Sequence, residues 1–600
     1  MSGVESLAIE DLRAGYAAGR RGPVEVMEEV LARADRAPER HVWISRVPRE
    51  TLLAQARALA ARGPAGLPLY GVPFAVKDNI DLAGVPTTAG CPGFAYTPSR
   101  SAAVVARLVA AGALPVGKTN LDQFATGLVG TRSPYGACRN AFHPEFISGG
   151  SSSGSAVAVA TGLVSFSLGT DTAGSGRVPA AFNDLVGLKP TCGRLSTSGV
   201  VPACRSLDCV SIFARTAGEA ARVLAVAEAF DPADPYSRRV LDRPLPPPGG
   251  GLRVGVPQED QLELFGDDDA RRLFAAAAAR LEGLGAAVVE VDLAPFLAAA
   301  RLLYEGPWVA ERLAAVGDFL ARAPDAVHPV TRQILEGGRG ATAVEAFRAQ
   351  HRLLELRRAT GAAWDRADAL LTPTAPTIYR IAEVEADPLA LNARLGRYTN
   401  FVNLLDLAAV AVPAGFRRDG LPWGVSLVAP AGTDRALLAL AGALHGAGGA
   451  PAFPQDPGPP APELAAAPPD VIPLAVCGAH MEGLPLHPQL ARLGARLLAR
   501  TRTAPCYRLF SLPGGPPRRP GLLRVAEGGA AIEVEVWAVP AAALGGFVAA
   551  IPSPLGIGKV VLEDGSAVSG FLCEPHGIAG AEDIAGAGGW RSYLDAAAER

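Results

Sequence analysis

A serine- and glycine-rich run from Ile147 to Phe182 constrains the fold of this chain more than any other stretch. It begins ISGGSSSGSAVAVATG and ends SLGTDTAGSGRVPAAF, and small apolar residues join the two ends. A flexible linker would lack that apolar segment, which is typical of buried structure. Because glycine lets backbone lie where a Cβ atom would clash, several main-chain N–H groups can point at one spot. Such N–H groups beside a serine form an oxyanion hole.

Two other glycine-rich motifs fit the run less well. A phosphate-binding loop would have GxxxxGK[ST] or GxGxxG spacing, and the run has neither. Gly150 to Gly154 does spell GxSxG, the nucleophile elbow of α/β-hydrolases, with Ser152 at its centre. That elbow needs a strand directly before it, and the preceding FHPEFISG is a poor strand.

A serine in such a run needs a base, and histidine and lysine are the candidates. Lysine is the scarcer of the two in this chain. Arginine cannot give up its proton at usable pH, whereas a buried lysine can. Lys77 follows the apolar stretch GVPFAV, where desolvation would lower its pKa and make it a possible base. Lys118 is interpreted as structural. Only four of the 56 basic residues are lysines, namely Lys77, Lys118, Lys189 and Lys559.

The segments GVPFAVKDN, GGSSSGS and GTDTAGSGR resemble the amidase signature family of serine hydrolases. The resemblance implies a triad in which Ser175 is the nucleophile, Ser151 bridges from a cis peptide, and Lys77 finally accepts the proton. A serine hydroxyl can accept one hydrogen bond and donate another, which suits the bridging role. The resemblance also implies an oxyanion hole made by the backbone N–H groups of Thr172, Ala173, Gly174 and Ser175.

The nucleophile segment DTAGSGRVPAAF is similar to the allophanate hydrolase branch of that family. In that branch a tyrosine and an arginine clasp the substrate, and the matching positions are Tyr304 and Arg312. Allophanate ends in a carboxylate, for which a bidentate arginine is a suitable partner. On one unbroken helix the two residues would share a face, although Gly306 and Pro307 can break it. A core tyrosine and a solvated arginine are the alternative.

The length and the local patterns predict two domains. Residues 1–445 are expected to form an α/β amidase-signature domain, a mixed sheet covered by helices, with a βαβ rhythm between residues 217 and 300. Residues 446–470 are a Pro/Gly/Ala-rich linker. Short strands dominate residues 471–600 and predict a small α/β barrel.

The last 130 residues resemble the C-terminal domain of allophanate hydrolases in GAHMEGLPL, TAPCYRL, PLGIGKV and GGWRSYL. The resemblance implies a fold similar to gamma-glutamyl cyclotransferase-like proteins. It also implies a role in processing the first product, N-carboxycarbamate, with His480 as a candidate acid or base. A structural or oligomerising domain is the alternative.

Composition excludes several classes of protein. The net charge of −3 gives no basic field for nucleic acid. The uncharged stretches 147–170 and 536–558 are rich in serine or broken by proline and glycine, so neither is expected to span a membrane. The first residues given do not have the pattern of a signal peptide, so none is expected there. Eight cysteines without a CxxC predict reduced thiols in the cytoplasm, and no metal or cofactor is expected.

Together these features predict an amidohydrolase that converts allophanate to ammonia and carbon dioxide through an acyl-enzyme on Ser175. The pathway would be urea or cyanurate degradation. A general aliphatic amidase, an A-type subunit of a tRNA-dependent amidotransferase and a non-catalytic scaffold are the alternatives. The family resemblance implies a homodimer. Because no biotin-carrier motif is present, a urea carboxylase would be a separate chain.

Overall fold

A computed structural model of the protein describes residues 6–36, 40–447, 471–514, 516–525 and 527–598. The chain divides into two units, Met1–Phe453 and Pro454–Arg600. From residue 448 onward, the predicted linker lies outside the described residues.

One mixed sheet of eleven strands runs through the described part of the first unit. Across the sheet the strand order is β1-β3-β2-β4-β6-β5-β10-β11-β9-β7-β8. Its strands are β1 (Trp43–Arg46), β2 (Pro73–Lys77), β3 (Leu114–Thr119), β4 (Phe166–Asp171), β5 (Val186–Lys189), β6 (Cys209–Ala214), β7 (Arg253–Pro257), β8 (Ala287–Val291), β9 (Ala369–Pro373), β10 (Leu407–Phe416) and β11 (Pro422–Pro430).

Helices surround this sheet, as the sequence predicts for a mixed α/β domain. Capping boxes begin two of them, where Thr216 and Thr342 each accept a hydrogen bond from the backbone N–H of a glutamate three residues later. The helices are α1 (Ile9–Ala17), α2 (Pro23–Ala34), α3 (Arg49–Arg62), α4 (Ala103–Ala110), α5 (Ser153–Ala160), α6 (Val178–Phe182), α7 (Ala217–Ala227), α8 (Asp268–Gly283), α9 (Ala294–Glu305), α10 (Trp308–Arg322), α11 (Pro329–Gly337), α12 (Ala343–Ala359), α13 (Gly361–Arg366), α14 (Ile381–Ala386), α15 (Ala390–Leu395), α16 (Asn400–Leu404) and α17 (Asp434–Ala447).

The middle of the sheet is buried. Every residue of β2, β3, β4, β5 and β6 is shielded from solvent, polar residues such as Lys77 and Asp171 included. The βαβ unit predicted between residues 217 and 300 is confirmed, since β7 and β8 are parallel neighbours with α8 between them in the chain. The two loops of the serine- and glycine-rich run adjoin this buried region, one before α5 and the other between β4 and α6.

The second unit is a smaller domain of strands and helices, in the part of the chain where the sequence predicts a small α/β barrel. Its strands form a five-stranded sheet, β13-β16-β12-β18-β17, and a three-stranded sheet, β15-β14-β19. The strands are β12 (Val471–Val476), β13 (Arg496–Arg502), β14 (Tyr507–Leu512), β15 (Arg519–Arg524), β16 (Glu533–Pro540), β17 (Leu555–Val561), β18 (Ala567–Cys573) and β19 (Glu582–Asp583). The helices are α18 (His487–Arg492), α19 (Ala541–Ala549) and α20 (Trp590–Ala598).

In the ranges given above, no helix combines the length and the apolar character that crossing a bilayer requires. The same ranges contain no group of three His, Cys, Asp or Glu residues placed to hold a metal ion.

Candidate active site

Lys77 is the last residue of β2, and its side chain is fully buried. Its Nζ donates hydrogen bonds to Ser151 Oγ and to Thr170 Oγ1, each at 2.7 Å. Burial lowers the pKa of Lys77 to about 7, against the opposing effect of Asp122 and Asp208. A large share of this lysine is therefore neutral near pH 7, when its free electron pair can accept a proton.

Ser151 follows the cis peptide bond Gly150–Ser151, and it is fully buried. Its carbonyl accepts a hydrogen bond from the Asp122 N–H at 3.2 Å. A Cβ atom on Gly150 would lie 2.1 Å from Asp122 Oδ2, so the backbone approaches that carboxylate too closely for any side chain. Asp122 in turn accepts three backbone N–H groups from residues 129 to 132, and these bonds fix the loop around Ser151.

Ser175 lies in the loop between β4 and α6 and is only 3% exposed. Among the described residues, its hydroxyl has no hydrogen-bond partner. Asp171 holds this loop, because it accepts hydrogen bonds from the N–H groups of Gly174 and Gly176 and pairs with Arg177 at 2.9 Å. Burial raises the pKa of Asp171, but Arg177 lowers it more, so the carboxylate stays ionised. Asp171 therefore braces the loop that carries Ser175.

The four N–H groups expected to form the oxyanion hole are not equivalent. The Gly174 N–H donates to Asp171 Oδ1 at 2.8 Å and is therefore already satisfied. The N–H groups of Thr172, Ala173 and Ser175 have no acceptor within the described part of the chain. Three of the four N–H groups expected from the resemblance are thus without an acceptor in the described structure, whereas the Gly174 N–H has one.

Thr172 is fixed by Asp208, a buried carboxylate. The Thr172 hydroxyl donates to Asp208, and Asp208 also accepts the Ala203 N–H at 2.9 Å. Burial raises the pKa of Asp208, since hydrogen bonds and the charge of Arg312 only partly offset the loss of hydration.

Sequence reasoning missed two residues at this site. Thr170 shares the Lys77 amine with Ser151, and the parallel pairing of β2 with β4 places it there. Asn403 on α16 donates to the Asp171 carbonyl at 2.8 Å and accepts from Arg177 at 3.3 Å. The GTDT segment itself could have indicated Thr170, whereas no local signal points to Asn403.

Tyr304 and Arg312 lie on different helices, because α9 ends at Glu305 and α10 begins at Trp308. The break occurs at the Gly–Pro pair. The residues still meet, with the Arg312 guanidinium carbon 5.7 Å from the centre of the Tyr304 ring. Tyr304 also packs against a small apolar cluster that contains Ala173, which lies in the loop that carries Ser175.

Arg312 is buried without a counter-charge in contact. Its side chain is 2% exposed, and its Nη1 reaches only Thr126 Oγ1 at 3.3 Å and the Ala125 carbonyl at 3.5 Å. Its Nε has no partner, and no carboxylate of the described residues lies within ion-pair distance. A buried guanidinium in this state favours an anionic ligand.

Lys118 does not join the candidate triad. It forms a buried ion pair with Asp78 at 2.9 Å and also donates to Thr87. Its structural interpretation is confirmed. Ser152, the centre of the GxSxG match, donates to the Thr170 carbonyl at 3.0 Å and directly precedes α5.

His480 lines a separate cavity of about 250 Å³ in the second unit. Its ring stacks on Phe571 at 5.1 Å, and its Nε2 lies 3.0 Å from Gln489 Oε1. Burial, together with the charge of Arg519, lowers the pKa of His480, so the imidazole is neutral at pH 7. Arg519 lines the same cavity.

Comparison with known proteins places this fold in a family. Residues 25–438 match the Amidase family, and the chain therefore belongs to it. Residues 472–595 match a second family, the Allophanate hydrolase C-terminal domain. The chain is similar over both units to the solved structure of Kluyveromyces lactis Allophanate Hydrolase, with 43% identity, a TM-score of 0.80 and coverage of 98% of this chain and 99% of that one. This match confirms the predicted fold class and the resemblance stated from the sequence.

Two curated relatives differ in how much of the chain they share. Urea amidolyase of Saccharomyces cerevisiae is 46% identical over 595 residues, which cover 95% of this chain but 32% of that protein. The chain therefore spans about a third of the length of that relative. The A-type subunit of Glutamyl-tRNA(Gln) amidotransferase from a Synechococcus strain is 37% identical over 475 residues, which cover 72% of this chain and 96% of that protein.

Proposed function

We propose that this protein hydrolyses allophanate to ammonia and carbon dioxide, with Ser175 as its nucleophile. The observation that carries this proposal is the union of an amidase unit with an Allophanate hydrolase C-terminal domain in one chain. The 43% identity to the K. lactis Allophanate Hydrolase over 99% of its length supports it. The alternative, an amidotransferase subunit, has weaker support, because the match to that relative covers only 72% of this chain.

Acylation begins when Ser175 Oγ attacks the terminal amide carbonyl of allophanate. Its proton passes to Ser151, while Ser151 gives its own proton to neutral Lys77, 2.7 Å away. This relay requires a hydrogen bond between the two serines in the reacting complex. The oxyanion accepts hydrogen bonds from the N–H groups of Thr172, Ala173 and Ser175. The proton then returns through Ser151 to the leaving nitrogen, and ammonia departs.

Deacylation reverses the same path with water as the nucleophile. Water attacks the acyl carbonyl and its proton moves through Ser151 to Lys77. The bond to Ser175 breaks, the proton returns from Lys77 through Ser151 to Ser175 Oγ, and N-carboxycarbamate leaves. This product is a dianion with two carboxylates on one nitrogen, and its protonation and breakdown give a second ammonia and two molecules of carbon dioxide.

Substrate selection follows from the unpaired charge of Arg312. The substrate carboxylate would supply the missing counter-ion and accept two parallel hydrogen bonds from the Arg312 guanidinium. Tyr304 would cover the flat anion, since its ring already lies 5.7 Å from the guanidinium carbon. A neutral amide gains nothing from this arrangement, so the site selects a carboxylated urea.

The cavity around His480 is proposed to process N-carboxycarbamate. A cationic Arg519 and a neutral imidazole line the same space, which suits binding a dianion and handling a proton. Following a 13C-labelled substrate by rapid quench would test this role. His480→Ala should slow loss of carbon dioxide from N-carboxycarbamate while the first ammonia release is unchanged. Equal rates in both proteins would leave the unit a structural or oligomerising role.

Three further features are part of the proposal. They are domain boundaries at residues 445 and 471 with the linker between them, a homodimeric assembly and a cytoplasmic location. The proposed partners are a small-molecule substrate and a urea carboxylase that supplies it, with no nucleic acid or membrane. Light scattering coupled to size exclusion would measure the assembly, and a monomer at micromolar concentration would contradict the dimer.

The deciding experiment is ammonia release from allophanate, malonamate, biuret and a neutral aliphatic amide in parallel. Strong preference for allophanate is the expected result, and Ser175→Ala should abolish it. A preference for the neutral amide would overturn the proposed substrate but leave the Ser–Ser–Lys chemistry standing. Activity that survives in Ser175→Ala would overturn the nucleophile.

A further inference from the structure

Lys189 is a buried lysine that acyl transfer does not use, and it lies against two thiols. It is the last residue of β5 and fully shielded from solvent. Its Nζ is 3.5 Å from Cys209 Sγ and 3.9 Å from Cys192 Sγ. The two sulfur atoms are 3.4 Å apart. In the described part of the chain, no other cysteines contact each other.

The sheet brings these thiols together. β5 and β6 are antiparallel neighbours with Leu188 opposite Ile212. The chain leaving β5 therefore runs back past the start of β6, where Cys209 is the first residue. Cys192 in the connecting loop reaches Cys209 across this end of the pair. Cys192 is partly exposed and Cys209 is buried, so Cys192 is the member of the pair nearer to solvent.

The surroundings favour a thiolate on Cys192. A hydrogen bond from the Cys209 thiol lowers the pKa of Cys192, and the charges of Lys189 and Arg238 lower it further. Although burial lowers the pKa of Lys189, the neighbouring thiols and Asp171 raise it more. Lys189 therefore stays a cation beside the sulfur pair. Among the described cysteines, Cys192 alone combines partial exposure, a cationic neighbour and a second thiol within reach.

We propose that Cys192 and Cys209 are an oxidisable dithiol site that hydrogen peroxide converts to an intramolecular disulfide. The Cys192 thiolate attacks one peroxide oxygen, the O–O bond breaks, and the sulfenic acid and hydroxide form. The hydroxide takes up a proton, which replaces the one that the Cys192 thiol had released, and becomes water. Cys209 then attacks the Cys192 sulfur, the S–S bond forms, and the S–O bond breaks with loss of a second water. Two thiols and one peroxide thus give one disulfide and two waters.

The disulfide would disturb the nucleophile loop, which is the loop between β4 and α6 that carries Ser175. Bonded sulfur atoms lie about 2.05 Å apart, so the present 3.4 Å separation must shrink and at least one of the two side chains must move. Cys209 is opposite Asp171 in the β4–β6 ladder, and its sulfur lies 3.9 Å from Asn403 Nδ2. Asn403 and Asp171 both hold the loop that carries Ser175. Oxidation should therefore lower amide hydrolysis, by up to about 10²-fold where a reacting group moves by an ångström.

The site itself is tested by mass spectrometry of the full-length protein after peroxide treatment and alkylation of remaining thiols. Trypsin gives two peptides, residues 178–194 and 206–215, each with one of the two cysteines. The expected product is a link between these peptides that dithiothreitol removes. Two alkylated thiols, or an oxidised Cys192 with no link, would overturn the proposal. This readout needs no substrate and stands even if the proposed function fails.

The consequence for catalysis rests on the proposed function and is tested with two matched variants. Cys192→Ser should keep its basal ammonia release and lose sensitivity to peroxide. Cys506→Ser removes the other partly exposed thiol and should remain as sensitive as the unmodified protein. Loss of activity in peroxide-treated Cys192→Ser, or full activity in the linked protein, would overturn the connection to the nucleophile loop.

Discussion

Lys77 Nζ lies 2.7 Å from Ser151 Oγ, and both side chains are fully buried. The contact joins the end of a central strand to the loop before α5. No carboxylate pairs with Lys77 in the described structure, whereas Lys118 forms a buried ion pair with Asp78. The two buried lysines therefore have different roles. Lys77 can release and accept a proton, and Lys118 fixes a loop.

Lys77→Arg should reduce kcat/KM for allophanate by at least about 10²-fold, because the charge is kept but the base is lost. Ammonia release measures the effect, and circular dichroism checks that the variant folds. Lys559→Arg, an exposed lysine in β17, is the matched control and should keep full activity. Substantial activity in Lys77→Arg would exclude the relay.

The pH profile should report the same lysine. Its lowered pKa of about 7 means that the ammonium form dominates below pH 7 and cannot accept a proton. kcat/KM should therefore rise with pH through about 7 and level off above it. Malonamate and a neutral amide should give the same midpoint if it belongs to the enzyme. A rise centred near 10, the ordinary range of lysine, would contradict a desolvated base.

The residues near Lys77 show how far the sequence leads. Apolar residues before Lys77 predict a buried strand end, and the motif around Ser175 indicates the nucleophile loop. The satisfied Gly174 N–H could not be predicted, because the direction of one N–H in a glycine-rich loop depends on the whole backbone. The contact between Asn403 and Asp171 could not be predicted from the sequence either. It meets Asp171 only because β10 lies beside β5 in the sheet, more than two hundred residues away in sequence.

The pair Tyr304 and Arg312 was indicated by resemblance rather than by helical spacing. The helix ends between them, so the argument from a shared face of one helix does not apply. Two helices joined at a Gly–Pro break nevertheless bring the ring and the guanidinium together. A spacing can thus be typical of a site although the chain between its residues is not regular.

Arg312→Ala should lower kcat/KM for allophanate by about 10- to 10²-fold, mainly through KM, because a charged hydrogen-bonded contact to the carboxylate is lost. Hydrolysis of a neutral amide should change little. Arg301→Ala removes an exposed arginine on neighbouring α9 and should leave both substrates unaffected. Equal losses on allophanate and the neutral amide would remove Arg312 from the carboxylate site.

Gly174→Ala should damage both the fold and the reaction. The φ angle of Gly174 is +131°, and a Cβ atom there would lie 2.4 Å from Thr399 Oγ1. A side chain at such a backbone conformation costs about 1–3 kcal/mol, and the clash adds to it. Thermal unfolding should show the lower stability. Ammonia release should fall further than stability alone explains, since Ser175 follows directly in the chain and its N–H is one of the three free donors.

Gly361→Ala is the matched control, because no atom lies within 4 Å of its added Cβ and its φ is not positive. If both variants behaved alike, the conformation of Gly174 would not be what positions the nucleophile.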